Sequence, residues 1–128
     1  MKRYFLACGL FFLLILTFSC SSEDLRNAAL AGNWQAVELF EMDSLLNINL
    51  QEVQLAFTEN GTYLFTGTLK YREVGKYRLA NDLIFLRDTL KSENLERPIK
   101  LLMLANDSLS VEMRDNHKKR ILNFKKLD

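Results

Sequence analysis

Residues 51–65, QEVQLAFTENGTYLF, and residues 72–87, REVGKYRLANDLIFLR, decide the fold. Each is a pair of short runs rich in β-branched, aliphatic and aromatic residues, split by a turn signal at Asn60-Gly61 or Asn81-Asp82. Asn-Gly favours a tight reversal because it tolerates positive φ, and Asn-Asp is a weaker form of the same signal. Strands that follow one another this closely pair antiparallel, so the stretch reads as two successive hairpins.

The pattern continues downstream. IKLLML at 99–104, Asn106-Asp107 and SLSVEM at 108–113 form a third hairpin, and RLANDLIFL at 78–86 resembles MLANDSLSV at 103–111. The irregular spacing of the turns marks repeated hairpins, not a solenoid. KRILNFKKL at 119–127 follows a polar turn, and WQAVELF at 34–40 precedes the first hairpin. The count reaches about eight strands over a domain of roughly a hundred residues, enough for one modest core. The reading is an all-β, up-and-down antiparallel barrel with a short N-terminal helical turn; the alternative is an open, strongly curved sheet whose concave side is filled by residues 40–50.

The first 19 residues stand apart. Lys2 and Arg3 precede a nearly unbroken apolar run from Tyr4 to Phe18, the form of a secretory signal peptide, and the run is short for a membrane span. The competing reading is an uncleaved anchor. Leu16, Thr17, Phe18, Ser19 and Cys20 resemble the lipobox of bacterial lipoproteins in the looser form found in Bacteroidota, with Ser19 at the small-residue position. The resemblance implies that Cys20 becomes the lipidated first mature residue and holds the protein on the outer membrane, where several acyl chains anchor what one chain holds only marginally. The expected division is therefore 1–19 signal peptide, 20–28 lipidated N-terminus and tether, and 29–128 barrel domain. Glu23 and Asp24 resemble an acidic surface-export signal, and equally suit a solvated linker. Cys8 and Cys20 are the only cysteines, so the domain has no disulfide and its core carries the stability alone.

Gly32 and Trp34 come next. Gly32 ends the helical turn, and the single Trp can plug one end of a small barrel. Gly32, Asn33 and Trp34 resemble the Gly-x-Trp signature of lipocalin-like proteins, and with the strand meander the chain resembles the small lipocalin-like domains of Bacteroidota lipoproteins. That resemblance implies a barrel and a tendency to bind small apolar molecules. The structural cysteines and long C-terminal helix of larger lipocalins are absent, and the loops at 60–61, 81–82 and 106–107 are too short to frame a wide mouth.

Alternation assigns Val53, Leu55 and Phe57, Tyr63 and Phe65, Tyr77 and Leu79, Leu83 and Phe85, Ile99, Leu101 and Met103, and Leu109, Val111 and Met113 to the interior. Leu64, Ile84, Leu86, Leu102 and Leu104 then face outward. An interior of this size is either filled by its own side chains or holds one small ligand. In the second case the expected site lies beneath residues 40–50, with Phe40, Leu45 and Leu46 capping a region reached by Tyr63, Phe65, Tyr77 and Phe85.

Little in the chain points to catalysis. His117, the only histidine, lies in a polar loop, and there is no Gly-rich phosphate loop, zinc spacing or Ser-x-x-Lys set. Glu38, Glu41 and Asp43 read as surface acids. No enzyme, cofactor or metal is expected. With 17 basic and 16 acidic side chains, or 15 and 16 once Lys2 and Arg3 are removed, nothing favours nucleic acid. Lys118, Lys119 and Arg120, with Lys125 and Lys126, either approach anionic headgroups or an acidic partner, or guard a strand edge. Two function classes stay open: a small-ligand binder, and a structural or accessory lipoprotein that binds another envelope protein through its outer surface.

Replacing Cys20 with Ala is expected to release the domain into the soluble periplasmic fraction or to stall processing, as read by fractionation. A native protein whose intact mass lacks acyl groups at Cys20 would overturn the anchor.

Overall fold

The computed structural model describes residues 22–91 and 95–127. The N-terminal apolar run read as a signal peptide and the lipobox-like residues through Cys20 lie outside the described residues. A helix, α1 (Ser22–Leu30), leads into strands β1 (Gly32–Glu41), β2 (Ser44–Leu45), β3 (Gln54–Phe57), β4 (Thr62–Thr66), β5 (Arg72–Ala80), β6 (Leu83–Asp88), β7 (Glu96–Leu104), β8 (Ser108–Asp115) and β9 (Lys118–Leu127). From β3 onward each strand pairs antiparallel with the next, and β1 pairs with both β3 and β9. Eight strands therefore close into an antiparallel barrel, while the two-residue β2 folds back on the end of β1 through Phe40↔Leu45 and Glu41↔Ser44.

The chain reverses at every turn, so alternate connections lie at the same end of the barrel. The three turns legible in the sequence, at Asn60-Gly61, Asn81-Asp82 and Asn106-Asp107, all fall at one end, with α1. They differ in form. The first is a loop over Glu59–Gly61 closed by Thr58 N–H donating to Thr62 O (2.9 Å), with Gly61 at φ +89°. The second is a two-residue turn with Asn81 at φ +55°. Their brevity does not narrow the mouth, which is framed at the opposite end by the Met42-Asp43 and Asn116-His117 turns, the β2–β3 connection and residues 67–71.

The closed end is built on Trp34. Its ring is fully buried, and Nε1–H donates 2.9 Å to the Leu30 carbonyl, which stitches the end of α1 across the barrel floor. Lys126 reaches back so that its ammonium lies 5.4 Å from the Trp34 ring centroid. Gly32 is required between them: its φ is +138°, and an added Cβ would lie 2.8 Å from Lys126 Cε. Tyr77 completes the floor, edge-on to Phe57 at 4.8 Å, with its hydroxyl donating 2.7 Å to Thr58 O. The helical turn expected before the first strand is a nine-residue helix that begins inside the segment read as tether.

Inward assignments change on two strands. On β6 the buried residues are Ile84 and Leu86, whereas Leu83 and Phe85 face outward, and the Arg78 guanidinium covers the Phe85 ring at 4.0 Å. Directly opposed residues of a hairpin share a face; the Ala80↔Leu83 pair puts Leu79 opposite Ile84 and Tyr77 opposite Leu86. On β7 the register slips between Leu101 and Met103, so Leu104, not Met103, packs on the core opposite Leu109. Leu64 and Leu102 do face outward, as alternation implies. A second slip, between Ala36 and Glu38 on β1, lets Ala36 and Leu39 both point inward.

Trp34→Ala is expected to lower stability by about 3–5 kcal/mol in chemical denaturation, through lost packing and the cavity left behind. Gly75→Ala is expected to cost about 1–3 kcal/mol by overpacking, because its Cβ would lie 1.9 Å from Arg87 O and 2.9 Å from Tyr63 Cε1. A variant with unchanged midpoint would contradict the corresponding packing.

Candidate ligand cavity at the barrel mouth

Next to α1 the interior is filled by side chains including Trp34, Phe57 and Leu109, with a more open surface recess between α1, the β3–β4 turn and β5; near the mouth the interior is not filled. A cavity of about 420 Å³ opens there. Leu39 of β1, Leu55 of β3, Phe65 of β4, Ile99 of β7, Met113 of β8 and Leu122 and Phe124 of β9 contribute its wall, while Ile48, Leu50 and Val53 come from the β2–β3 connection. Tyr71 stands at the opening, its ring edge-on to Phe65 at 6.1 Å. The volume lies at the small end of the range for ligand pockets, and the mix of apolar wall and a few charged groups is the usual one.

Polar groups cluster toward the mouth. Glu73 occupies an inward position on β5, two steps beyond Gly75 and four beyond Tyr77, and its side chain is only 4% exposed. Arg97 of β7 donates through Nη2 to both Glu73 oxygens, at 2.9 and 3.2 Å, while keeping about half of its own side chain in solvent at 54%. Pro98 does not stop β7 from extending to Glu96, because that end of the strand pairs only with β6; pairing with β8 begins at Lys100.

Tyr63 Oη is buried beside this pair. Burial pushes its phenol well above the ordinary range, the Glu73 and Asp88 charges push the same way, and Arg97 opposes them. Tyr77 is raised as well, chiefly by burial. Arg120 points inward from β9 beside the cavity, with Nη1 donating 3.2 Å to Asp115 Oδ2 and Nη2 3.8 Å from Glu41 Oε1. Its Nε–H is buried without an acceptor among the described residues.

Of the proposed ligand-binding residues, only Phe65 lines this cavity. Tyr63 is buried beneath it in the packed interior, and Tyr77 belongs to the closed end. Phe85 stands on the outer face. Phe40 and Leu45 oppose each other in the β1–β2 flap, where Leu45 is exposed, and Leu46 is tied to Leu39 O by its N–H at 2.9 Å. From the segment 40–50, Ile48 and Leu50 reach the cavity, joined by Val53 just beyond it, whereas Phe40, Leu45 and Leu46 do not. The slip in β1 sets the inward phase, so Leu39 enters the barrel and Phe40 does not. Glu73 was recoverable by continuing the Tyr77 and Leu79 alternation backward, and Arg97 by continuing that of Ile99 and Leu101; Arg114 and Arg120 gave no comparable signal, because exposed and mouth-facing arginines look alike in sequence.

The charged residues that the sequence left unassigned pair across the β1–β9 seam. Lys118 lies 3.4 Å from Glu41 and Lys119 lies 3.2 Å from Asp43, while the Asn123 amide reaches Glu38 at 3.5 Å. His117 sits exposed in the β8–β9 turn at φ +67°.

No family model matches the chain, and no curated protein matches it. Solved structures do. An uncharacterized protein from Bacteroides eggerthii superposes with a TM-score of 0.59 at 16% identity, covering 77% of this chain and 99% of that one. A lipocalin-like protein from Bacteroides uniformis superposes with a TM-score of 0.57 at 21% identity, with the same coverage of 77% and 99%. The closed eight-stranded barrel is thus lipocalin-like in fold.

The raised Tyr63 phenol makes an alkaline prediction. Unfolded tyrosine loses its proton near pH 10 while folded Tyr63 keeps it, so the associated stability is present below about pH 10 and falls above it, at up to about 1.4 kcal/mol per pH unit. Tyr63→Phe is expected to flatten that loss in denaturation curves between about pH 9 and 11, with Tyr77 still contributing. Equal slopes for the two proteins would refute it.

Proposed function

We propose that this protein is a non-enzymatic bacterial envelope lipoprotein, anchored to the outer membrane through Cys20, whose barrel binds a small apolar or amphipathic molecule in the mouth cavity. One observation carries the binding role: a barrel packed solid around Trp34 at one end leaves about 420 Å³ of largely apolar-walled space at the other. The lipocalin-like fold supports a small-ligand role, and the lipobox-like run directly ahead of α1 supports the anchor. An apolar wall alone admits many molecules, since each buried methylene contributes only about 0.8 kcal/mol.

A second reading, an accessory protein that binds another envelope protein, is favoured by a separate feature. Leu25 and Ala29 of α1 form a shallow apolar groove with Leu101–Leu104 of β7, in which Leu102 and Met103 remain exposed.

Residues 22–128 suffice for a test, because the barrel makes its strand pairings within them. Titration with the neutral fluorophore N-phenylnaphthylamine is expected to show saturable uptake, lost in Val53→Trp, which fills the cavity, and kept in Phe85→Ala on the outer face. No uptake by the folded domain, together with a specific protein partner lost on Leu102→Asp, would replace the first reading with the second.

A further inference from the structure

We propose that the cavity selects amphiphiles with an anionic head, carboxylate or phosphate, which docks on Arg120 at the mouth with the apolar chain lying inward. This rests on the cavity reading above.

The charged groups facing the cavity are Arg97, Arg114 and Arg120 on one side of the balance and Glu73 and Asp115 on the other, an excess of one cation. Their pairing is uneven. Glu73 has both oxygens committed to Arg97, so it offers little to a cationic ligand. Arg120 uses Nη1 on Asp115, and Glu41, its second acid, is 3.8 Å away and shared with Lys118. That leaves Nη2 of Arg120, a residue that lines the cavity, without a hydrogen-bond acceptor among the described residues, while its Nε–H is enclosed by protein and also unmet. A guanidinium with a donor left unmet gains from a charged acceptor, and an anionic oxygen in the cavity supplies one to Nη2. Guanidinium presents its donors as a planar fork, which suits a two-oxygen head better than a single hydroxyl, and the excess positive charge favours an anion over a neutral acceptor.

The geometry also sets the ligand's direction. Arg97, Arg120 and Asp115 lie at the mouth ends of β7, β9 and β8, whereas Leu55, Ile99, Leu122 and Phe124 lie deeper along the strands. An anionic head at the arginines therefore places its chain on apolar wall and leaves the head near water, where it keeps part of its hydration.

Displacement of N-phenylnaphthylamine from residues 22–128 by four chains of equal length tests this: dodecanoate, dodecyl phosphate, dodecanol and dodecyltrimethylammonium. One or both anions are expected to displace the fluorophore at least about tenfold more tightly than dodecanol, with the cation weakest. The preference is expected to shrink as salt is raised. Whichever anion is stronger identifies the head. Arg120→Met should abolish the preference while leaving displacement by dodecanol intact, which also shows that the variant is folded. Arg120→Lys, which keeps the charge but loses the planar fork of donors, should retain only part of it. Equal displacement by all four chains, or an undiminished preference in Arg120→Met, overturns the assignment but leaves the cavity reading standing. No fluorophore uptake at all overturns both.

Discussion

The seam between β1 and β9 is the constraint on which the rest depends. Its pairs run from Asn33↔Leu127 to Glu41↔Arg120, joining the first strand of the domain to the last. Closure removes the two open edges that an antiparallel meander would otherwise expose. It also gives the interior a fixed width, just enough in an eight-stranded barrel to be filled by side chains or to hold one small ligand. Both outcomes occur in this molecule, at opposite ends. Trp34, Phe57, Tyr77 and Leu109 are buried in the section nearest α1, while Leu39, Val53 and Ile99 line the cavity in the section nearest the mouth.

On one side β1 changes partners along its length. Its first four residues pair with β3, its last two pair with β2, and β9 runs along the other side throughout. Where β3 leaves off, the β2–β3 connection crosses the barrel and brings Ile48, Leu50 and Val53 over the interior. The covering segment is thus a consequence of strand length: β3 has four residues against ten in β1, and the uncovered part of β1 is met by the flap and the connection.

Charge is arranged around this frame. Ion pairs across the β1–β9 seam employ Glu41, Asp43, Lys118, Lys119 and Arg120, and pairs this exposed contribute little each. The Glu73–Arg97 pair is different, because one partner is buried and the other is not. Removing the arginine would strand a carboxylate in the barrel, which is the expensive direction in which to break such a pair.

The antiparallel class, most strands and the Trp34 plug were legible because turn chemistry and period-two alternation are local properties of the chain. Face assignment held wherever one face was apolar and the other polar, as in Val53, Leu55 and Phe57. It failed on β6, whose run from Leu83 to Leu86 is apolar on both faces and so carries no alternation, although the two-residue turn at Asn81-Asp82 already implied the correct phase through its hairpin pairing. It failed also beyond Leu101, where a register slip invisible in composition exchanges Met103 for Leu104. What the sequence by itself determined was therefore the local part: which segments extend, where they reverse, and that Gly32 and Trp34 meet at one end. Only the tertiary structure decided where the space is and what faces it. Barrel closure, register slips and alternate-end turns bring together residues as distant as Val53, Glu73, Arg97 and Arg120, and inward position is set by the partner strand rather than by the residue's own neighbours.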